Sequence, residues 1–277
     1  MITAPADVAA VQEAWRRRGR LHALAEGHRL FVVQEGSGPD LILVHGFPST
    51  SHDFGAVLPL LTGRFRVTLF DQLGFGFSDK PPEASYSLLE QGRRAGELAR
   101  ALGIAQATVV GHDMGLTVAV EMLCRHESNE LGFTMDRLVL CNGSHLVELA
   151  NITQVQKDLM TDEGAAAFVA AYDPERFAQA FRFVWSDPSR TPEVDIRAIA
   201  YWLSGSLSVI GKIARYNLER ERYAERWGWT VNVSHLVVFL GVDPDGRVRI
   251  ADPRAGLERW PAEGLRNLWR HQAIFVH

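Results

Sequence analysis

Residues 109–123 constrain this chain more than any other stretch. A short apolar run ending in Val109-Val110 is followed by Gly111-His112-Asp113-Met114-Gly115, and then by residues 116–123 with helical spacing. A strand that turns sharply into a helix, with glycine on both sides of the turn, lets the central side chain project above the sheet. That side chain is the carboxylate of Asp113. A carboxylate so placed can attack an electrophilic sp3 carbon and form an ester, dividing one difficult displacement into two easier steps. The alternative is structural, since aspartate is favoured at a helix N-cap, where it stabilises the dipole.

Further short β-rich runs at residues 41–44, 66–70, 138–140 and 236–240 alternate with longer helical stretches. That alternation is the signature of a parallel sheet with crossover helices, whose ligand crevice is built by loops leaving the carboxyl ends of the strands. From residue 144 to about residue 227 helical periodicity replaces the strand signal, with breaks at Asp173-Pro174, Asp187-Pro188 and Thr191-Pro192. The expected organisation is one α/β domain with an inserted helical cap. Residues 1–143 form the first part of the core, 144–227 the cap and 228–277 the second part. The charge-dense stretch 218–226 reads as a solvated helix face.

At 277 residues and 47% hydrophobic content the chain can bury a core and one inserted subdomain. Its 29 basic against 33 acidic residues give a net charge of −4, which points away from nucleic acid and anionic membranes and leaves a small hydrophobic substrate as the expected partner. Only Cys124 and Cys141 occur, so no disulfide framework is expected, and the cytoplasm is the expected compartment. No apolar run follows Arg16-Arg17-Arg18, so neither a signal peptide nor a membrane span is read there. The ten histidines lack the paired spacing of a metal site, and Gly74-Phe75-Gly76 lacks the later glycine of a phosphate loop. No metal or other cofactor is expected.

His45-Gly46-Phe47-Pro48 follows the first strongly apolar run. A backbone N–H there, that of Phe47, can join the N–H of Met114 to stabilise an oxyanion on an Asp113 ester. His45 itself reads as a structural histidine.

Residues 45–48, then Asp71-Gln72-Leu73-Gly74-Phe75-Gly76-Phe77-Ser78-Asp79-Lys80-Pro81, then residues 111–115, resemble the epoxide hydrolase and haloalkane dehalogenase group of the α/β-hydrolase superfamily. Tyr86-Ser87-Leu88 with Gln91, Asn142-Gly143, and Tyr216 with Arg220, Arg222 and Trp227 resemble its mesoderm-specific transcript branch. The resemblance spans about residues 30–244 and implies the α/β-hydrolase fold, with a mostly parallel central sheet, helices on both faces and the helical cap. Haloalkane dehalogenases commonly place Asn where Phe47 stands and Trp where Met114 stands, and fluoroacetate dehalogenases place Arg after the nucleophile. Epoxide hydrolases tolerate Phe and Met at those places, so the resemblance implies an epoxide opened to a diol through an aspartyl ester.

Within that resemblance Tyr216 matches a cap tyrosine that donates a proton to the leaving oxygen, with Tyr201 and Tyr172 as candidates for a second donor. Asp243 matches the acid that orients the histidine base, with Asp245 as the nearby competitor and a plain Asp-Pro-Asp-Gly turn as the structural alternative. The carboxyl end departs from the family pattern. Aligning residues 273–277 on it puts Ile274 at the catalytic position, whereas the chain separation from Asp243 makes His271 the base, and His277 is the last residue. The terminal helix expected of the family is not seen, which predicts lowered stability or a partner, such as a second copy in a homodimer, over the uncovered flank. Three functions follow: an epoxide hydrolase, a dehalogenase using the same ester chemistry, and a binding protein that keeps the pocket without the base.

Overall fold

A computed structural model describes residues 2–143, 152–184, 192–227, 238–242, 247–252 and 256–261. It opens with helix α1 (Ala6–Arg16), followed by strands β1 (Gly19–Ala23), β2 (Arg29–Glu35) and β3 (Asp40–Val44). Short helix α2 (Leu58–Leu61) precedes β4 (Arg66–Phe70), and α3 (Leu88–Ala101) precedes β5 (Gln106–His112). Helix α4 (Met114–Glu127) leads to β6 (Thr134–Cys141). These six strands form one sheet in the order β1-β2-β4-β3-β5-β6, with β3, β4, β5 and β6 parallel and β1 and β2 antiparallel to their neighbours.

Alternation along the strands divides the interior in two. Ile42, Val44, Phe70 and Val109 pack with Leu88, Leu98, Val118 and Met122 of α3 and α4 on one face. Leu41, Leu43, Val67 and Leu69 pack on the other, against Val8 and Trp15 of α1.

The helices after β6 are α5 (Gln154–Leu159), α6 (Asp162–Ala171), α7 (Pro174–Phe181), α8 (Glu193–Ser204), α9 (Ile210–Ala214) and α10 (Tyr216–Arg222). Their starts are chemically marked: Thr153 builds a capping box with Gln156, Thr161 caps α6, and Asp173 caps α7 with Pro174 in the first turn. The predicted break at Asp173-Pro174 is therefore a helix start and Pro192 stands at the N-cap of α8, whereas Thr191 and Asp187-Pro188 lie outside the described residues. Helix α8 returns to the body of the molecule, where Ala198 and Trp202 join the core beneath α1. Arg197 pairs with Glu175 of α7 at 2.9 Å and Asp7 of α1 at 2.6 Å.

Two sequence expectations need correction. Residues 218–226 are not simply a solvated face: Arg220 is buried, Glu219 accepts the Leu88 N–H at 2.7 Å, and Arg226 holds the fully buried Glu121 of α4 through two bonds of 2.7 and 2.8 Å. Charge density in sequence does not say which face of a helix each charge occupies. The strand predicted at 236–240 is β7 (Val238–Val242), but it pairs antiparallel with β8 (Arg247–Asp252), which pairs antiparallel with β9 (Gly256–Pro261), in a separate three-stranded sheet. Only residues 243–246 separate β7 from β8 in the chain, too few for the crossover that a parallel neighbour needs.

Candidate active site

The order of the main sheet reverses at β3: the chain passes from β3 to β4 on one side, then crosses to β5 on the other. Loops leaving two such strands diverge, and open α/β sheets bind ligands in the gap. Val44 and Gly111 are in register there, so the loop carrying Phe47 and the turn carrying Asp113 leave the sheet side by side.

Asp113 stands between β5 and α4 at φ 54° and ψ −118°, a conformation that costs a non-glycine residue on the order of 1–3 kcal/mol. The turn is secured by the Asp113 N–H donating to the Cys141 carbonyl at 3.0 Å and the Leu116 N–H donating to the Asp113 carbonyl at 3.2 Å. The Asp113 carboxylate makes no capping bond to its own helix. Its Oδ1 instead accepts the N–H of Phe47 at 2.7 Å. Two glycines permit this approach. A Cβ on Gly46 would overlap the Asp113 side chain, and one on Gly115 would overlap the carbonyl oxygens of Val44 and His45. Met114 opens α4, a position whose N–H has no intrahelical acceptor.

The surrounding polar residues are structural. His45 is buried with Nδ1 2.8 Å from the Gly46 carbonyl oxygen, and Nε2 accepts the Gln72 N–H at 3.0 Å. Burial lowers its pKa, so it is the neutral structural histidine expected. Asp71 is equally buried and accepts from the Ser51 N–H, the Ser51 hydroxyl and the Phe77 N–H at 2.8, 2.6 and 2.8 Å. The Ser78 hydroxyl donates to the Asp71 carbonyl at 2.6 Å, and Lys80 Nζ donates to the Gly76 and Ser78 carbonyls at 2.7 and 2.8 Å. The motif at 71–81 thus closes a loop on itself beside the candidate site.

Tyr216 is buried, with its ring centre 5.7 Å from that of Phe47. Burial, followed by the charge of Asp113, pushes its phenol up to about 12, and Arg220 works in the opposite direction. The Arg220 guanidinium lies 4.8 Å from the Tyr216 ring centre, and its Nε donates to Thr117 Oγ1 on α4 at 3.1 Å. Tyr201 and Tyr172 stand apart. The Tyr201 hydroxyl donates to Glu175 at 3.1 Å and the Tyr172 hydroxyl to the Ala200 carbonyl at 2.7 Å, so each proton is already committed.

Sequence reasoning passed over Asp53. Its carboxyl accepts the Ser49 hydroxyl. Although the side chain reaches solvent, the protein crowded around it, together with the charges of Asp113 and Asp71, pushes it up to about 7. A lone acid in a single 3-10 turn gives no sequence signal of this. Asp243, Asp245, His271, Ile274 and His277 lie outside the described residues. Among the described residues no three metal-binding side chains converge, and no helix is long and apolar enough to cross a membrane.

Comparison with known proteins agrees with this architecture. LipZ of Mycobacterium tuberculosis is 35% identical over 215 residues, 77% of this chain and 74% of that protein. The mesoderm-specific transcript protein of Mus musculus is 31% identical over 254 residues, 85% of this chain and 74% of that protein. A solved structure described among novel epoxide hydrolases from metagenomes of hot environments superposes with a TM-score of 0.56 at 26% identity, covering 72% of this chain and 69% of that one. The family model for the alpha/beta hydrolase fold matches residues 39–190, more than half of the chain. With the strand order and the strand-to-helix turn described above, this places the chain in the α/β-hydrolase fold family.

Proposed function

We propose that the protein opens an epoxide to a diol through a covalent ester on Asp113. The observation that carries this reading is the bond from the Phe47 N–H to Asp113 Oδ1, together with the absence of any capping bond from that carboxylate. A carboxylate held by a neighbouring loop and unused by its own helix is placed for attack.

An Asp113 oxygen forms a bond to one epoxide carbon, the ring C–O bond breaks, and its electron pair remains on the leaving oxygen. That oxygen takes the proton of Tyr216, giving a hydroxy-ester and a tyrosinate. Water then attacks the ester carbonyl while the N–H groups of Phe47 and Met114 bear the developing oxyanion. The sequence supplies His271 as the base for this step and Asp243 to orient it. Collapse releases the diol and the Asp113 carboxylate, and the proton left over returns to Tyr216. The helices after β6 act as the cap that encloses a small hydrophobic substrate.

The test is intact-protein mass spectrometry after brief exposure to styrene oxide, with diol formation followed in parallel. Wild type forms diol, Asp113→Ala forms neither diol nor adduct, and Tyr216→Phe slows formation about a hundredfold or more. Diol formed at the wild-type rate by Asp113→Ala would refute the reading.

A further inference from the structure

Four tyrosines among the described residues have hydroxyls in the hydrogen-bond network, and three of them are donors. Tyr86 donates to the Pro81 carbonyl at 2.7 Å, and Tyr172 and Tyr201 are committed to Ala200 and Glu175. Tyr216 is reversed: its hydroxyl oxygen accepts from Gln156 Nε2 at 3.4 Å, and the side-chain amide of Asn217 also meets the hydroxyl.

That direction is enforced from the neighbouring helix. Gln156 is the third residue of α5, and its Oε1 accepts the Thr153 N–H at 2.9 Å and the Thr153 hydroxyl at 3.0 Å, within the capping box. Turning the amide over would set its N–H groups against the Thr153 backbone N–H, which can only donate. The cap of α5 therefore fixes Nε2 towards Tyr216, and an amide nitrogen can only donate. A phenol whose oxygen is already engaged as an acceptor keeps its proton for another oxygen.

Arg220 adds a second, electrostatic element. Its guanidinium faces the Tyr216 ring, Nε is held by Thr117, Nη1 donates to Asn217 Oδ1 at 3.4 Å, and no carboxylate bonds it among the described residues. One nitrogen, Nη2, is buried without a hydrogen-bond partner. A cation buried beside a phenol, with no carboxylate bonded to it and the charge of Asp113 acting only through space, stabilises the phenolate formed when the proton leaves.

We propose that Gln156 and Arg220 are positioning residues that aim the Tyr216 proton at the leaving oxygen: Gln156 turns its oxygen into an acceptor, and Arg220 stabilises the anion left behind until the proton returns. This rests on the role proposed for Tyr216 in epoxide opening. The Thr153-x-x-Gln156 capping box thus serves two functions, starting α5 and orienting the acid of the site.

The test reads Tyr216 directly, without substrate. The full chain is labelled with 3-fluorotyrosine, which lowers phenol pKa values into a workable range, and the five tyrosines are followed by fluorine NMR against pH, with Tyr216 assigned from Tyr216→Phe. Gln156→Leu removes the donor and Arg220→Met removes the cation, so each raises the Tyr216 midpoint by about one unit. Arg220→Lys, which keeps a cation, reverses most of the second shift. The other four resonances report whether each variant is folded, and Arg220→Gln, which also removes the cation, carries the comparison if Arg220→Met is not. A Tyr216 midpoint unmoved in a folded Gln156→Leu, or in a folded Arg220→Met or Arg220→Gln, overturns the proposal. Failure of the functional reading is separate: it appears as Tyr216→Phe forming diol at the wild-type rate, whatever the titration shows.

Discussion

An unfolded aspartate titrates near 3.8, and the Asp53 carboxyl is pushed up to about 7 in the folded chain. Between those values the folded state holds more protons than the unfolded one, so stability falls as pH rises through the interval and levels off above it. Melting temperature should therefore decline from about pH 4 to about pH 7. Asp53→Asn, which cannot ionise, should flatten that decline, and an equal slope in the variant would exclude Asp53 as its source. Asp53 was illegible in the sequence because its proton affinity comes from what surrounds it, including two acids distant in the chain. The turn that carries Asp113 was legible because its geometry is local: two glycines, a strand before and a helix after define it. Gln156 lies between. The capping box can be read from Thr153 and Gln156, but not that the same amide also meets Tyr216, 60 residues further on.

The elements of the main sheet were legible for a similar reason. Residues 41–44 and 67–70 are runs buried on both faces, and such strands are continuous stretches that sequence displays openly, while β5 alternates buried with half-buried positions. The sequence reading failed at β7, where an apolar run specifies a strand but not its partner. It also missed what residues 218–226 do: Glu121 of α4 is fully buried, pairs with Arg226 and Arg125, and accepts the Trp227 indole N–H at 2.9 Å. This network fastens the end of the helical segment to the helix that begins beside Asp113. Removing one partner of a buried pair leaves the other uncompensated, so Glu121→Ala should cost about 3 kcal/mol in denaturant titration, the low end of the usual range because Arg226 is partly in water. A loss below about 0.5 kcal/mol would mean the pair is a surface contact in energetic terms.

For the whole molecule, the α1–α8 contact matters most. Trp15 is buried in the core shared with Trp202, and its indole N–H donates to the Ser51 hydroxyl at 3.1 Å. Trp15→Ala should cost about 3 kcal/mol and, in hydrogen exchange, should loosen α8 together with α1. Loss confined to α1 would show that α8 stands without it. Nothing in the sequence foretells this contact, since neither helix carries a signal naming the other. It also sets a clock on biosynthesis. Asp7 and Arg197 are 190 positions apart, and at a synthesis rate of about 5–20 residues per second that interval takes on the order of 10–40 s. The first helix can meet the β3 and β4 face of its seat early, but the flank that α8 covers stays in water until the end of that interval.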